Sequence, residues 1–290
     1  MTTSATGTPT RTDGGVGTDA SRPDGTLKVT GEFAYGSDLW MDDMLWGVTL
    51  RSPHPHARIR SLDIGAALAV PGVFAVLTSD DVPGELLYGL EIADQPVLAR
   101  GTVLYQGEPV ALVAADHPET ARRACARIAV DYEVLEPVTD ARDALGHGTH
   151  GPVANLHPEP TPVVENSREN AHLRPEGNLI RHLKVRKGDL AAARSAAHVV
   201  VSGEYEVGMQ DQAFLGPESG LAVPAEDGGV DLYVSTQWLH VDQQQICRAL
   251  GLPPEKVRLT LAGVGGAFGG REDLSMHVHA CLLAMRTGSR

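Results

Sequence analysis

Five glycines and one phenylalanine fall between residues 263 and 270, in the order Gly263-Val-Gly-Gly-Ala-Phe-Gly-Gly270, and no other run constrains this chain as much. It follows Val257-Arg-Leu-Thr-Leu261, an alternating stretch that reads as a strand. It precedes a stretch from Glu272 to Arg286 that reads as a helix, with Leu274, Val278, Cys281, Leu282 and Met285 at inner positions. Glycines at a strand-to-helix turn tolerate positive φ and let backbone N–H groups approach a ligand closely. One or two would mean only a tight turn; five with a single aromatic favour ligand approach.

Two nucleotide readings of this loop fail. Gly265 to Gly270 fits the Gly-x-x-x-x-Gly of a P-loop, but Arg271 and Glu272 stand where that motif needs Lys and then Ser or Thr. The hydroxyl that would hold Mg²⁺ is missing, and a carboxylate would face the phosphates. Counted from Gly263, the dinucleotide pattern Gly-x-Gly-x-x-Gly meets Phe268 at its last position.

The chain has 290 residues, enough for two domains at roughly 100–200 residues each. Its net charge of −13 argues against binding nucleic acid or an anionic membrane by bulk attraction. No apolar run reaches the ~18 residues of a membrane helix, and the N-terminus lacks the basic and apolar regions of a secretory signal. The three cysteines, Cys125, Cys247 and Cys281, are widely spaced, which fits reduced thiols in a cytoplasm. There is no Cys-x-x-Cys, so an iron–sulfur cluster is not expected on this chain. If it does redox chemistry, electrons leave through another chain.

Residues 1–26, rich in Thr, Gly, Ser and Asp, read as a disordered tail. Residues 27–145 read as an α+β domain. Its expected strands are Met44 to Arg51, Ala57 to Ile64, Val73 to Leu77, Pro109 to Ala114 and Ile128 to Tyr132, with a helix from Pro118 to Arg127 capped by Asp116. Residues 146–177, rich in His, Pro, Gly and Asn, read as a linker. A second domain, 178–290, opens with expected strands at Leu179 to Val185 and Val199 to Val207, around a short helix from Asp189 to Ala197. It continues with a strand from Val230 to Thr236 and a helix from Leu239 to Leu250, closed by Gly251.

A second informative segment is Gly208-Met-Gln-Asp-Gln-Ala-Phe-Leu-Gly-Pro-Glu218, where two glutamines and a glutamate sit among small and apolar residues. Together with Gly265 to Glu272 it resembles the cofactor loops of the molybdenum hydroxylases. That family comprises xanthine dehydrogenases, aldehyde oxidoreductases and aerobic carbon monoxide dehydrogenases. Ser235-Thr-Gln-Trp-Leu-His240 with Leu250-Gly-Leu-Pro253 resembles the strand and helix ahead of the family's Gly loop. Arg51-Ser-Pro-His-Pro-His-Ala-Arg-Ile59 and Gln106-Gly-Glu-Pro-Val-Ala111 resemble its α/β hammerhead domain. The likeness covers roughly Leu27 to Arg290 and is strongest to the N-terminal part of the molybdenum subunit of bacterial xanthine dehydrogenases.

The resemblance implies a hammerhead domain followed by the first, incomplete part of a molybdopterin-binding domain. It implies that Gln210 donates a hydrogen bond to the molybdenum centre. It places Phe268 against that centre, with Gly269 and Gly270 close to the pterin, one form of which carries a cytosine dinucleotide. Glu272 falls where xanthine-oxidising members bind the purine; at a helix start the dipole would favour its ionised form, and capping the helix is its alternative role. The family hydroxylates an electron-poor carbon with water as oxygen source, using a base glutamate expected downstream of Arg290, so no catalytic residue is assigned here. Separate FAD-binding and 2Fe-2S subunits are the expected partners. Arg271-Glu272 favours a purine over an aldehyde or carbon monoxide. The competing function is a split or truncated fragment that needs a second polypeptide.

Weaker candidates have plainer readings. His54 and His56 share a face on an extended chain but lack a third ligand. His277 and Cys281, four apart, make no zinc site by themselves. His147, His150 and His157 fall in the linker. Trp40, Trp46 and Trp238 read as packing anchors.

Overall fold

The computed structural model describes residues 21–90, 92–146, 178–179 and 183–289. All of the expected linker but Gly146, its three histidines included, and the tail up to residue 20 lie outside them. The described chain falls into two units, residues 1–34 and 35–290. In the first, helix α1 (Gly25–Thr30) ends at Gly31, whose φ of 79° is the left-handed stop that glycine supplies.

In the second unit, the early part holds eight strands: β1 (Trp46–Arg51), β2 (Ala57–Asp63), β3 (Val73–Leu77), β4 (Leu87–Tyr88), β5 (Gln95–Pro96), β6 (Thr102–Val103), β7 (Pro109–Ala115) and β8 (Ala129–Val134). Strand β7 reads Pro-Val-Ala-Leu-Val-Ala-Ala and is buried along its whole length. A strand apolar on both faces needs neighbours on both edges and cover above and below. Here β1 and β3 flank it, both antiparallel. Helix α2 (Gly65–Leu68) lies on β3, and α3 (Pro118–Cys125) lies on β1 and β7. A second sheet has the order β6-β2-β8. Two further short helices follow, α4 (Ala141–Ala144) and α5 (Leu190–Ala196).

The later part is a three-stranded sheet, β9 (Gly220–Pro224), β10 (Val230–Val234) and β11 (Val257–Leu261). Strand β10 pairs antiparallel with β9 and parallel with β11, and α6 (Leu239–Leu250) makes the crossover. Helix α6 turns Ile246, Ala249 and Leu250 inward and ends in a Schellman turn. Gly251, φ 64°, donates to Arg248 O, and Leu252 donates to Cys247 O. Gly84 and Glu85 also donate to the carbonyls of Ala249 and Arg248, so the early part caps this helix. The last helix, α7 (His277–Thr287), lies on β9 and β10 and reaches β1, β3 and β7. One apolar core therefore joins Leu77, Leu98 and Leu112 to Leu232, Ile246, Cys281 and Leu282. The three cysteines are buried and free. Among the described residues no helix is long and apolar enough to cross a membrane.

Three sequence expectations are corrected, and one strand was not expected. Residues 183–185 and 199–207 form no strand, and Val201, Tyr205, Val207 and Met209 are almost fully exposed. Their alternating pattern is that of a strand, but no described strand lies beside them to complete a ladder. Helix α3 is capped by the His117 ring, which accepts from Glu119 N, rather than by Asp116. A Cβ on Gly72 would meet the Asp116 carboxylate at 2.5 Å, so that side chain is turned toward Gly72. Helix α7 starts at His277, five residues later than the pattern suggests, because the backbone of residues 271–275 bonds to side chains instead: Arg271 N to Gln237 Oε1 and Ser275 N to His277 Nδ1. Finally β9, Gly220–Pro224, is a strand whose pattern does not stand out in the sequence.

Candidate functional site

Because β10 and β11 run parallel, their last paired residues, Val234 and Leu261, release both chains at the same edge of the sheet. Loops that follow the carboxyl ends of parallel strands are the usual place for a ligand. Here the two loops are Ser235-Thr236-Gln237 and the Gly263–Gly270 run. Ser235 Oγ donates to Gly263 O at 2.6 Å, holding the start of the glycine loop. Thr236 Oγ1 lies 3.3 Å from Arg271 O and also bonds the Asp242 carboxylate. Gln237 grips Arg271 twice. Its N–H donates to Arg271 O at 3.1 Å, and its Oε1 accepts from Arg271 N at 3.2 Å.

The Arg271 side chain turns inward and is 1 % exposed. Its guanidinium donates to Ser235 O at 3.3 Å, to Pro217 O at 3.2 Å and to Gly216 O. It stacks on the Phe214 ring at 4.3 Å, and its Nε is 3.7 Å from Glu218 Oε1. Planar guanidinium suits this clamp, since several carbonyls and a ring face are satisfied by one rigid fork. The clamp ties the 208–218 segment to the glycine loop. Leu215 N and Gly216 N both donate to Gly265 O, at 3.2 and 3.4 Å. Glu218 closes the arrangement by accepting from Ser275 Oγ at 2.6 Å.

Beyond this clamp the glycine loop bulges outward. Phe268, with φ 52°, and Gly269, with φ 85°, are consecutive left-handed residues, and Phe268 is 76 % exposed. A non-glycine residue in that region is strained and points to function. Among the described residues no protein acceptor takes the N–H groups of Ala267, Phe268 or Gly269. A side chain on Gly269 would enter open space, meeting only Glu272 Oε1, at 3.9 Å. A run of free N–H groups around a left-handed turn, with the space above kept clear by glycine, fits the polar edge or phosphate of a pterin cofactor.

The site residues expected from sequence are distributed as follows. Phe268, Gly269 and Gly270 lie on the bulge, and Gly270 faces the Phe214 ring and the Gln212 side chain. Glu272 is half-buried, and its Oε1 accepts from Gln237 Nε2 at 3.4 Å. It is not at a helix start and caps nothing, since α7 opens at His277 with Met276 as its N-cap; the dipole argument for its ionisation falls away. Gln210 stays outside this contact set, with its amide donating to the carbonyls of Gly208 and Met209. Sequence reasoning missed the anchoring roles of Ser235, Thr236, Gln237 and Arg271. The signal was present as three polar residues directly after an apolar strand.

Three titratable groups lie in and beside this framework. Burial pushes the Asp242 carboxyl up to about 6, against the stabilising Thr236 hydroxyl. Burial holds His277 down to about 4, helped by His279 and Arg271. His279 is likewise held down to about 4 by burial, although its Nε2 bonds Val97 O at 2.7 Å. His54 and His56 have local roles. His54 meets Tyr132 edge-on at 5.1 Å, and His56 Nδ1 lies 2.8 Å from Glu136 O.

Comparison with known proteins gives two family matches. Residues 30–136 match the a/b hammerhead domain of aldehyde oxidase and xanthine dehydrogenase, and residues 172–290 match a molybdopterin cofactor-binding domain. A probable xanthine dehydrogenase subunit of Bacillus subtilis is 37% identical over 92% of this chain and 33% of its own length. The nicotinate dehydrogenase large molybdopterin subunit of Eubacterium barkeri is 33% identical over 94% of this chain and 59% of its own. Among solved structures, the aldehyde oxidoreductase of Desulfovibrio gigas superposes with a TM-score of 0.75 at 26% identity, over 92% of this chain and 29% of that one. The chain thus spans between about a third and three fifths of the length of these curated relatives.

Proposed function

The chain belongs to the molybdenum hydroxylases of the xanthine dehydrogenase and aldehyde oxidase type, and we propose that it supplies the first cofactor-facing loops of an enzyme that hydroxylates a purine. When bound, a molybdenum–molybdopterin cofactor, in one form a cytosine dinucleotide, supplies the two-electron oxidation, with water as the oxygen source. The protein's part is to bind, orient and shield.

In this reading the N–H groups of the 267–269 bulge bind the polar edge of the pterin, and Gly269 and Gly270 let the backbone approach it. Phe268 would lie against the metal centre. Gln210 donates its amide N–H toward that centre without adding charge. Glu272 accepts from a purine N–H and orients the ring. FAD-binding and 2Fe-2S subunits accept the electrons. The observation that supports the reading is the pairing of a clamped loop framework with a bulge whose N–H groups find no protein acceptor among the described residues.

The experiment is to purify the protein with its partners from its own host and measure molybdenum and pterin, then test xanthine-dependent reduction of an electron acceptor. One molybdenum per chain with xanthine oxidation is expected. Protein without molybdenum or pterin would overturn the reading. Molybdenum-loaded protein that oxidises only an aldehyde would overturn the purine assignment. The nicotinate dehydrogenase relative makes nicotinate the second N-heterocycle to try.

A further inference from the structure

We propose that Gln237 is a positioning residue that orients the Glu272 carboxylate and so sets the preference of this site for ligands carrying a ring N–H. The proposal rests on the reading that Glu272 meets the substrate. Its own basis is the three-point contact of Gln237 with the adjacent residues Arg271 and Glu272. Gln237 N–H donates to Arg271 O at 3.1 Å, Gln237 Oε1 accepts from Arg271 N at 3.2 Å, and Gln237 Nε2 donates to Glu272 Oε1 at 3.4 Å.

The amide has only one way round. A backbone N–H needs an acceptor, so the oxygen of the Gln237 amide must face Arg271, and its nitrogen is left facing Glu272. An amide nitrogen can only donate, so it holds Glu272 in a rotamer that accepts at Oε1. Among the described residues no donor meets the other oxygen, Oε2, so its lone pairs stay available to a ligand. Glu272 Oε1 is 3.9 Å from the position a Cβ on Gly269 would take, so the carboxylate overlooks the clear space at the loop's lip. A fixed acceptor in that place recognises an N–H of a planar heterocycle. It offers nothing to an aldehyde, which has no donor.

Gln237 shares the anchoring of the loop with other residues. Ser235 already holds Gly263 O, Thr236 reaches Arg271 O, and the buried guanidinium fixes the 216–217 carbonyls. Gln237 itself is exposed, at the end of the Ser-Thr-Gln run, and among the described residues it alone donates a side-chain hydrogen bond to Glu272.

The test uses the intact enzyme with its partners and compares wild type with Q237E, Q237M and E272Q. Q237E keeps an acceptor for Arg271 N but sets a second carboxylate against Glu272, and Q237M removes the donor without adding charge, so a shared effect of the two belongs to the lost contact with Glu272. The readouts, normalised to molybdenum content, are the ratio of kcat/KM for xanthine to that for an aromatic aldehyde, and the dissociation constant of urate by equilibrium dialysis. We expect Q237E and Q237M to lower the ratio about tenfold, mainly through KM, and to weaken urate about tenfold. A purely structural role would lower both substrates together and leave the ratio unchanged. If E272Q lowers the ratio and neither Gln237 variant does, the Gln237 proposal is overturned while the reading of Glu272 stands. If E272Q leaves the ratio unchanged, the assignment of Glu272 fails, and the proposal for Gln237 fails with it.

Discussion

Gly216 and Gly265 meet backbone to backbone. A Cβ added to Gly265 would lie 2.5 Å from Gly216 N and 2.7 Å from its Cα, and a Cβ on Gly216 would lie 3.0 Å from Gly265 N. Neither neighbour can yield, because Leu215 N and Gly216 N both bond Gly265 O. Gly265→Ala should therefore force the two loops apart at a cost of about 1–3 kcal/mol in stability, read from urea unfolding. Gly208→Ala, at a position with open space around it, should stay within about 0.5 kcal/mol. Equal effects at the two positions would remove the close approach as the cause.

The Arg271 clamp predicts a graded series. Arg271→Met leaves the carbonyls of Gly216 and Ser235 without their donor and takes one of two donors from Pro217 O, and should cost about 3 kcal/mol. Arg271→Lys keeps the charge but loses the fork and the stacking on Phe214, and should fall between the two. Limited proteolysis gives a second readout, since cleavage within residues 208–218 should rise in the same order. A lysine variant as stable as wild type would show that charge alone suffices.

Acid stability follows from the buried histidines. With pKa values held down to about 4, His277 and His279 take up protons in the unfolded chain at higher pH than in the folded one. Their contribution is present in full above the ordinary histidine range, near 6.5, and is lost as pH falls toward 4. Asp242, raised to about 6, acts in the opposite sense. Its contribution is full below about 3.8 and is lost as pH rises through 6. Between pH 4 and 6 the three groups together take up about one proton net on unfolding, and Asp242→Asn should raise that by about one. Unfolding free energy measured across this window should steepen in the variant. An unchanged slope would mean Asp242 is not protonated in the folded chain.

Phe268 carries strain without burial, with φ 52° and most of its ring in solvent. Phe268→Gly should make the chain about 1 kcal/mol more stable, as relief of left-handed strain. Under the proposed function the same change should lower cofactor content or xanthine turnover. A variant that is no more stable would mean the left-handed conformation is unstrained here.

Elements with complete local signals are legible from the sequence. Val73 to Leu77, Leu239 to Leu250 and Val257 to Leu261 form just the residues their patterns mark, because apolar period, length and stop residue agree. The start of α7 is not legible in the same way. Glu272 to Met276 look helix-compatible alone, while the hydrogen bonds that keep them out of the helix come from Gln237 and His277. The glycine loop announces itself by composition. Its anchors do not, since Gln237 lies 34 positions from Arg271 in the chain and only the parallel pairing of β10 with β11 brings them together. Residues 199–207 show the opposite failure, a strand pattern with no ladder beside it.

Those residues bear on the chain's fate in a cell. Val201, Tyr205, Val207 and Met209 present an apolar edge whose N–H and C=O groups find no backbone partner among the described residues. Such an edge invites pairing with any other extended segment, and chaperones and proteases recognise the same feature. Where the edge stays unpaired it favours association between extended segments, so Val201→Lys and Val207→Lys variants should lower the light scattering of the purified protein.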